Sequence, residues 1–156
     1  MVRIRRLTPG STLRGEDRLP RAAADTAGWD DAPMTELPLA EHDLAALVEE
    51  WLDWAEAGRR LGVTAAKVRT MIRDHELAAA VPRPGTGPQV PAGFIQEGLP
   101  VKGLPGLLTV LHDGGYDDRE IIAWLHLDQN LPGRPIDALR ENRGAEVKRR
   151  AQAMAL

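Results

Sequence analysis

From residue 39 onward, apolar side chains return every three or four positions through most of the chain, the spacing that turns one side of a helix toward a core. Leu44, Leu47, Val48 and Trp51 follow that period, so residues 39–52 read as one amphipathic helix with its acidic side in water. A second helix is predicted from Trp54, with Trp54, Ala57, Gly58 and Leu61 on a single face. The run Leu61-Gly62-Val63-Thr64 then ends one helix and starts another. Glycine supplies the left-handed backbone of a helix C-terminus, and a threonine hydroxyl caps the next first turn. This spacing predicts a tight helix-turn-helix.

Residues 64–74 form the second helix of that pair. Val68 and Ile72 stack one turn apart, flanked by Ala65 and Met71. At about 100° per residue the opposite side presents Ala66, Thr70, Arg73 and Asp74, with Lys67 and Arg69 on its shoulders. Residues 77–81 and 89–91 flank PRPGTGP, a run of turn formers, and read as a short hairpin, or wing. Helical spacing resumes over 104–112, 117–126, 135–140 and 144–154. Asp117 followed by Glu120 has capping-box spacing, and Pro135 suits a first helical turn.

The predicted fold is therefore mainly α. A winged helix-turn-helix with a small β-hairpin wing spans residues 34–102, followed by a C-terminal helical domain over 103–156. Residues 1–33 have little periodicity, several Pro and Gly and few apolar side chains, and read as a flexible basic N-terminal arm. Met34 opens the better-patterned stretch and is a candidate translation start.

Composition narrows the class. No apolar run reaches the roughly 18–20 residues that cross a bilayer, and the opening MVRIRRLTPGST lacks the apolar stretch of a secretory signal. A cytoplasmic location is expected, nucleoid-associated when bound to DNA. With no Cys, disulfides, thiolate zinc sites and cysteine nucleophiles are excluded. The net charge of −3 argues against indiscriminate coating of nucleic acid, which needs many phosphate contacts. The charge is segregated, however. Residues 1–29 carry six Arg against three acids, and residues 30–56 carry nine acids with no Lys or Arg. Residues 57–102 carry seven basic against three acidic side chains, and residues 103–156 seven against eight. The basic block at 57–102 coincides with the helix-turn-helix. Its acidic neighbour either lies away from bound DNA or folds over the basic helix.

If the second helix enters a major groove, Thr70 and Arg73 are placed for base edges and Ala66 for a thymine methyl, with Thr64 at the helix entry. Lys67, Arg69, Arg59, Arg60 and Arg83 are candidates for phosphate. Arg3, Arg5, Arg6, Arg14, Arg18 and Arg21 on the arm are further phosphate or minor-groove candidates. Thr8, Ser11 and Thr12 are candidate phosphorylation sites, where a phosphate would cancel positive charge. Lys148, Arg149 and Arg150 fit best as complements to the negative end of the last helix. Trp51, Trp54 and Trp124 fall on apolar faces and are expected in the core.

Catalytic patterns are missing. Ser11, the only serine, sits in the arm. His42, His75, His112 and His126 are dispersed and form no HExxH pair. His112-Asp113 and Asp117-Asp118 read as helix capping around a glycine break. No phosphate loop is present, so no enzyme activity, cofactor or metal is expected.

The segments WLDWAEAGRRLGVTAAKVRTMIRDHELAAAV, VKGLPGLLTVLHDGGYDDREIIAWL and RPIDALRENRGAEVKRRAQAM resemble a family of small actinobacterial DNA-binding proteins. In that family a winged helix-turn-helix precedes a C-terminal helical domain. The resemblance covers residues 50–156 and implies a double-stranded DNA partner and a role in transcription regulation or chromosome organisation. This chain departs from the family at the wing, where Val81-Pro82-Arg83-Pro84 stands in place of paired basic residues. It departs again at Gly58, where helix-turn-helix motifs often carry Ala. The stretch from IIAWL through NLPGRPIDALRENRGAEV is also similar to the toxin-binding domain of some bacterial antitoxins. That second likeness implies a protein partner for the C-terminal half. No heptad seam defines an oligomeric state.

Overall fold

The structure, a computed structural model, describes residues 37–128 and 133–156. The arm at 1–33, with Thr8, Ser11, Thr12 and the candidate start Met34, lies outside the described residues.

The helix expected over 39–52 is instead three short pieces. A 3-10 turn at Leu39–Glu41 leads to α1, Leu44–Leu47, and then to β1, Trp51–Leu52. The Asp43 carboxylate accepts the Ala45 amide at 3.1 Å and caps α1, but Val48 takes extended backbone after a single turn. Sheet pairing overrides the helical period there. Trp51 pairs antiparallel with Pro91 and Leu52 with Val90 of β2, Val90–Pro91. The Ala92 amide extends the contact by donating to the Glu50 carbonyl at 2.9 Å.

Two helices follow β1 in the predicted places: α2, Trp54–Leu61, and α3, Ala65–Arg73. The wing is present as a loop over 81–88. Its base is one antiparallel bridge, with Ala80 N–H to Gln89 O at 3.0 Å and Gln89 N–H to Ala80 O at 2.9 Å. The ladder goes no further into the loop, where Pro82, Pro84 and Pro88 have no amide to donate. A second hairpin, not expected from the sequence, pairs β3, Ile95–Gln96, with β4, Leu99–Pro100. Its two-residue turn holds both Glu97 (φ 55°) and Gly98 (φ 80°) in left-handed backbone, as a primed turn requires.

Among the described residues four helices follow, close to their predicted bounds: α4, Leu104–Asp113; α5, Asp118–His126; α6, Pro135–Arg140; and α7, Gly144–Met154. Asp117 and Glu120 make the predicted capping box. Six consecutive residues of α5, Ile121 to His126, are buried, so α5 is a central helix rather than a surface one. It packs on the 3-10 turn, α1, α4 and α6, while α7 closes over α4 and α6.

Residues 37–156 form one compact unit, and Leu44, Val68, Leu77, Phe94, Leu108, Ile122 and Val147 all belong to one hydrophobic cluster. Arginines of the C-terminal half reinforce it by donating to carbonyls of the N-terminal half. Arg119 reaches Ala40 O and His42 O, each at 3.0 Å. Arg140 reaches Gly93 O at 2.8 Å and Ile95 O at 3.1 Å. Arg134 pairs with Glu49 at 2.9 Å. The architecture is thus mainly helical, with a winged helix-turn-helix followed by a helical region. Among the described residues, no helix is long and apolar enough to cross a membrane.

Candidate nucleic-acid interface

The site begins at the start of α2, where the Asp53 carboxylate accepts the Glu56 amide at 2.8 Å. At the other end Gly62 adopts the left-handed conformation (φ 73°) that closes the helix. The chain then doubles back onto α2, and the Val63 amide donates to the Gly58 carbonyl at 2.9 Å. A Cβ on Gly58 would lie 2.6 Å from the Val63 carbonyl oxygen, so even alanine is too large unless the turn moves. Thr64 starts α3 as expected, its hydroxyl oxygen accepting the Lys67 amide at 3.0 Å.

Val68 and Met71 anchor α3 in the core. Ala66, Lys67, Arg69 and Arg73 are exposed together, with Thr64 at the entry and Thr70 half-buried between them. The Thr70 hydroxyl donates to the Ala66 carbonyl at 3.3 Å, which leaves its oxygen as an acceptor. Among the described residues Lys67 and Arg69 make no ion pair. The Arg73 side chain is 74% exposed, with Asp74 at 3.7 Å as its nearest acid. Arg83 sits exposed on the wing, where the Thr86 hydroxyl donates to its carbonyl at 3.0 Å and fixes the local turn.

Arg59 and Arg60 are in a different situation from the basic residues of α3. Arg59 pairs with Glu56, and Arg60 pairs with Glu50 at 2.9 Å and Glu56 at 3.3 Å. Hydrogen bonds from Arg59 and then Arg60 hold the Glu56 carboxyl below the usual range. Those from Glu56 and Glu50 raise Arg60 above its ordinary value. Part of the acidic block therefore lies against the helix-turn-helix, but on α2 and not on α3.

The histidines, dispersed along the sequence, are not all dispersed in space. His75, in the turn after α3, stacks on His112 of α4 with ring centroids 3.9 Å apart and planes 22° from parallel. His112 Nε2 lies 2.6 Å from an Asp118 oxygen, and the other Asp118 oxygen accepts the Ala79 amide at 3.1 Å. Asp117 alone does the capping that the sequence suggested for the Asp117-Asp118 pair. His112 and Asp118 instead form a part-buried pair. No local spacing signals it, because residues 75 and 112 meet only through the fold.

Two family models match the chain. One, described as DNA-binding protein Rv2175c, wHTH domain, covers residues 36–95, and the other, described as the Rv2175c C-terminal domain of unknown function, covers residues 101–155. The chain is 38% identical over 161 residues to DNA-binding protein Rv2175c of Mycobacterium tuberculosis (strain ATCC 25618 / H37Rv), an alignment spanning 94% of this chain and 96% of that protein. An NMR structure of Rv2175c superposes with a TM-score of 0.63 at 41% identity, covering 69% of this chain and 82% of that one.

Proposed function

This chain belongs to the Rv2175c family of winged helix-turn-helix proteins, and from that premise we propose that it binds double-stranded DNA with α3 in the major groove. The observation that carries the reading is the outer face of α3, where Lys67, Arg69 and Arg73 project into solvent from a helix whose other side is fixed in the core. Helix N-termini are electropositive, so the entry at Thr64 adds attraction for a phosphate. Arg73 has the reach and fork geometry for a guanine edge, and Ala66 offers a methyl-sized contact beside Thr70. Lys67 and Arg69 hold flanking phosphates, and Arg83 adds one contact from the wing. Arg59 and Arg60 contribute less, because Glu50 and Glu56 already neutralise them. The role is non-enzymatic, in transcription regulation or chromosome organisation.

In this reading the winged helix-turn-helix, proposed over residues 34–102, and the helical part, proposed over residues 103–156, act as one body across the described residues. Arg119, Arg134 and Arg140 are committed to the N-terminal half and hold α1 and the second hairpin in place.

Fluorescence-anisotropy titration of the full chain against a broad pool of duplexes, at two salt concentrations, tests the proposal. Saturable, salt-sensitive binding is expected. Arg69→Ala should flatten the slope of log affinity against log salt by about 1, and Arg60→Ala by less. Arg73→Ala should reduce discrimination between preferred and random duplexes by about 1–3 kcal/mol. Undetectable binding near physiological salt would overturn the reading and favour a protein partner.

A further inference from the structure

We propose that His75, His112 and Asp118 form a binding site for a divalent transition-metal ion of the zinc class. The three side chains come from three elements: the turn after α3, the last turn of α4 and the first turn of α5. One donor atom from each lies within 4.8 Å of the other two, so small side-chain rotations bring them to a common centre.

Two further observations point to an ion. The His75 Nδ1 atom is buried and has no hydrogen-bond partner, and a buried ring nitrogen left unpaired is the kind of atom a metal satisfies. The Asp118 carboxylate is already oriented from behind, because its second oxygen accepts the Ala79 amide at 3.1 Å. Ligands held by such outer hydrogen bonds are typical of metal centres.

The donor set selects the ion. Two imidazole nitrogens and one carboxylate oxygen suit zinc and its neighbours, whereas magnesium and calcium prefer oxygen alone. Three protein ligands leave a fourth position for water or an anion. His112 Nε2 already lies 2.6 Å from an Asp118 oxygen, so two of the three donors are side by side. The His75 and His112 rings are stacked at 3.9 Å, and ligation requires one of them to turn about its Cβ–Cγ bond until both lone pairs meet. A bound ion would fasten the turn that ends α3 to α4 and α5.

The test uses the full chain, stripped with a chelator and titrated with zinc by calorimetry and with cobalt by visible absorption. One ion per chain is expected, with a rise in the thermal midpoint and the visible bands of four-coordinate cobalt. His75→Asn removes a ligand while keeping a residue that tolerates the left-handed backbone at this position (φ 62°). Asp118→Asn removes the negative charge while keeping an acceptor for Ala79. Each should weaken zinc binding by about tenfold or more, whereas Asp113→Asn, an exposed neighbour on α4, should bind as the unaltered chain does. Absence of saturable binding in the unaltered chain would overturn the site, as would undiminished binding in a folded His75→Asn. Should that variant fail to fold, Asp118→Asn decides: reduced binding supports the site and undiminished binding removes it.

Discussion

At Gly58 two residue-scale effects oppose each other. In an ordinary helix alanine would stabilise by about 1 kcal/mol over glycine. Here its methyl would sit 2.6 Å from the Val63 carbonyl oxygen, a backbone atom that can retreat only if the helix-turn-helix opens. Overpacking of this kind costs about 1–3 kcal/mol, so Gly58→Ala should lower the urea midpoint. A raised midpoint would mean that the turn does not close on α2 as described. The capping residues were legible from sequence because a cap and a left-handed glycine are local: Gly62 and Thr64 need only their immediate neighbours. The small size of Gly58 was legible too, but its necessity was not, since the crowding atom belongs to the turn. The partners of Arg60 were partly hidden for a similar reason. Glu56 lies one turn away on α2, but Glu50 reaches it from beyond β1.

Among the elements, those with a sustained period were readable and the shortest were not. From α4 to α7 the helices repeat their apolar residues often enough to fix both type and bounds. By contrast, β1, β3 and β4 are two residues long, too short for alternation to register. Trp51 happened to continue the period of α1, which extended the predicted helix through a strand. The second hairpin turns on Glu97-Gly98, and glutamate seldom marks a left-handed turn position.

The central element, α5, carries its own pH response. His126 is 4% exposed, and its Nδ1–H donates to the Ile122 carbonyl at 2.7 Å. Burial pushes its pKa below the ordinary 6.5, against the opposing pull of the Ile122 hydrogen bond and with help from the positive charge of Arg134; Glu49 and Asp137 oppose it more weakly. Below pH 6.5 the unfolded chain therefore binds a proton that the folded chain resists. The associated stability is complete above that pH and is lost as pH falls toward and through the folded value. Asp137, held low by Arg134, and Glu146, held low by Arg150 and Arg149, act only below their ordinary 3.8 and 4.5. Denaturation midpoints should thus fall between about pH 7 and pH 5, and His126→Gln should show a smaller fall. An equal fall in both proteins would remove His126 as its source.

At the scale of the whole molecule, one core runs through the described residues on both sides of residue 100. The two family models stop at residue 95 and resume at 101, whereas the hydrophobic cluster crosses that gap without a break. The sequence pattern divides the halves only where helical spacing resumes after the wing, at residue 104. The pairing of Arg140 with Gly93 and Ile95, or of Arg119 with Ala40 and His42, joins residues more than forty positions apart and leaves no periodic trace. The His75–His112–Asp118 cluster was hidden in the same way, whereas the exposed face of α3 could be read from one helix alone.

The proposed function turns on α3 as the element that meets DNA. Amide chemical-shift mapping by NMR, with the full chain titrated by a duplex it binds, tests this most directly. The largest shifts are expected on residues 64–73, with smaller ones on the wing at 83–87. Shifts concentrated in 135–154 while residues 64–73 stay unmoved would contradict it.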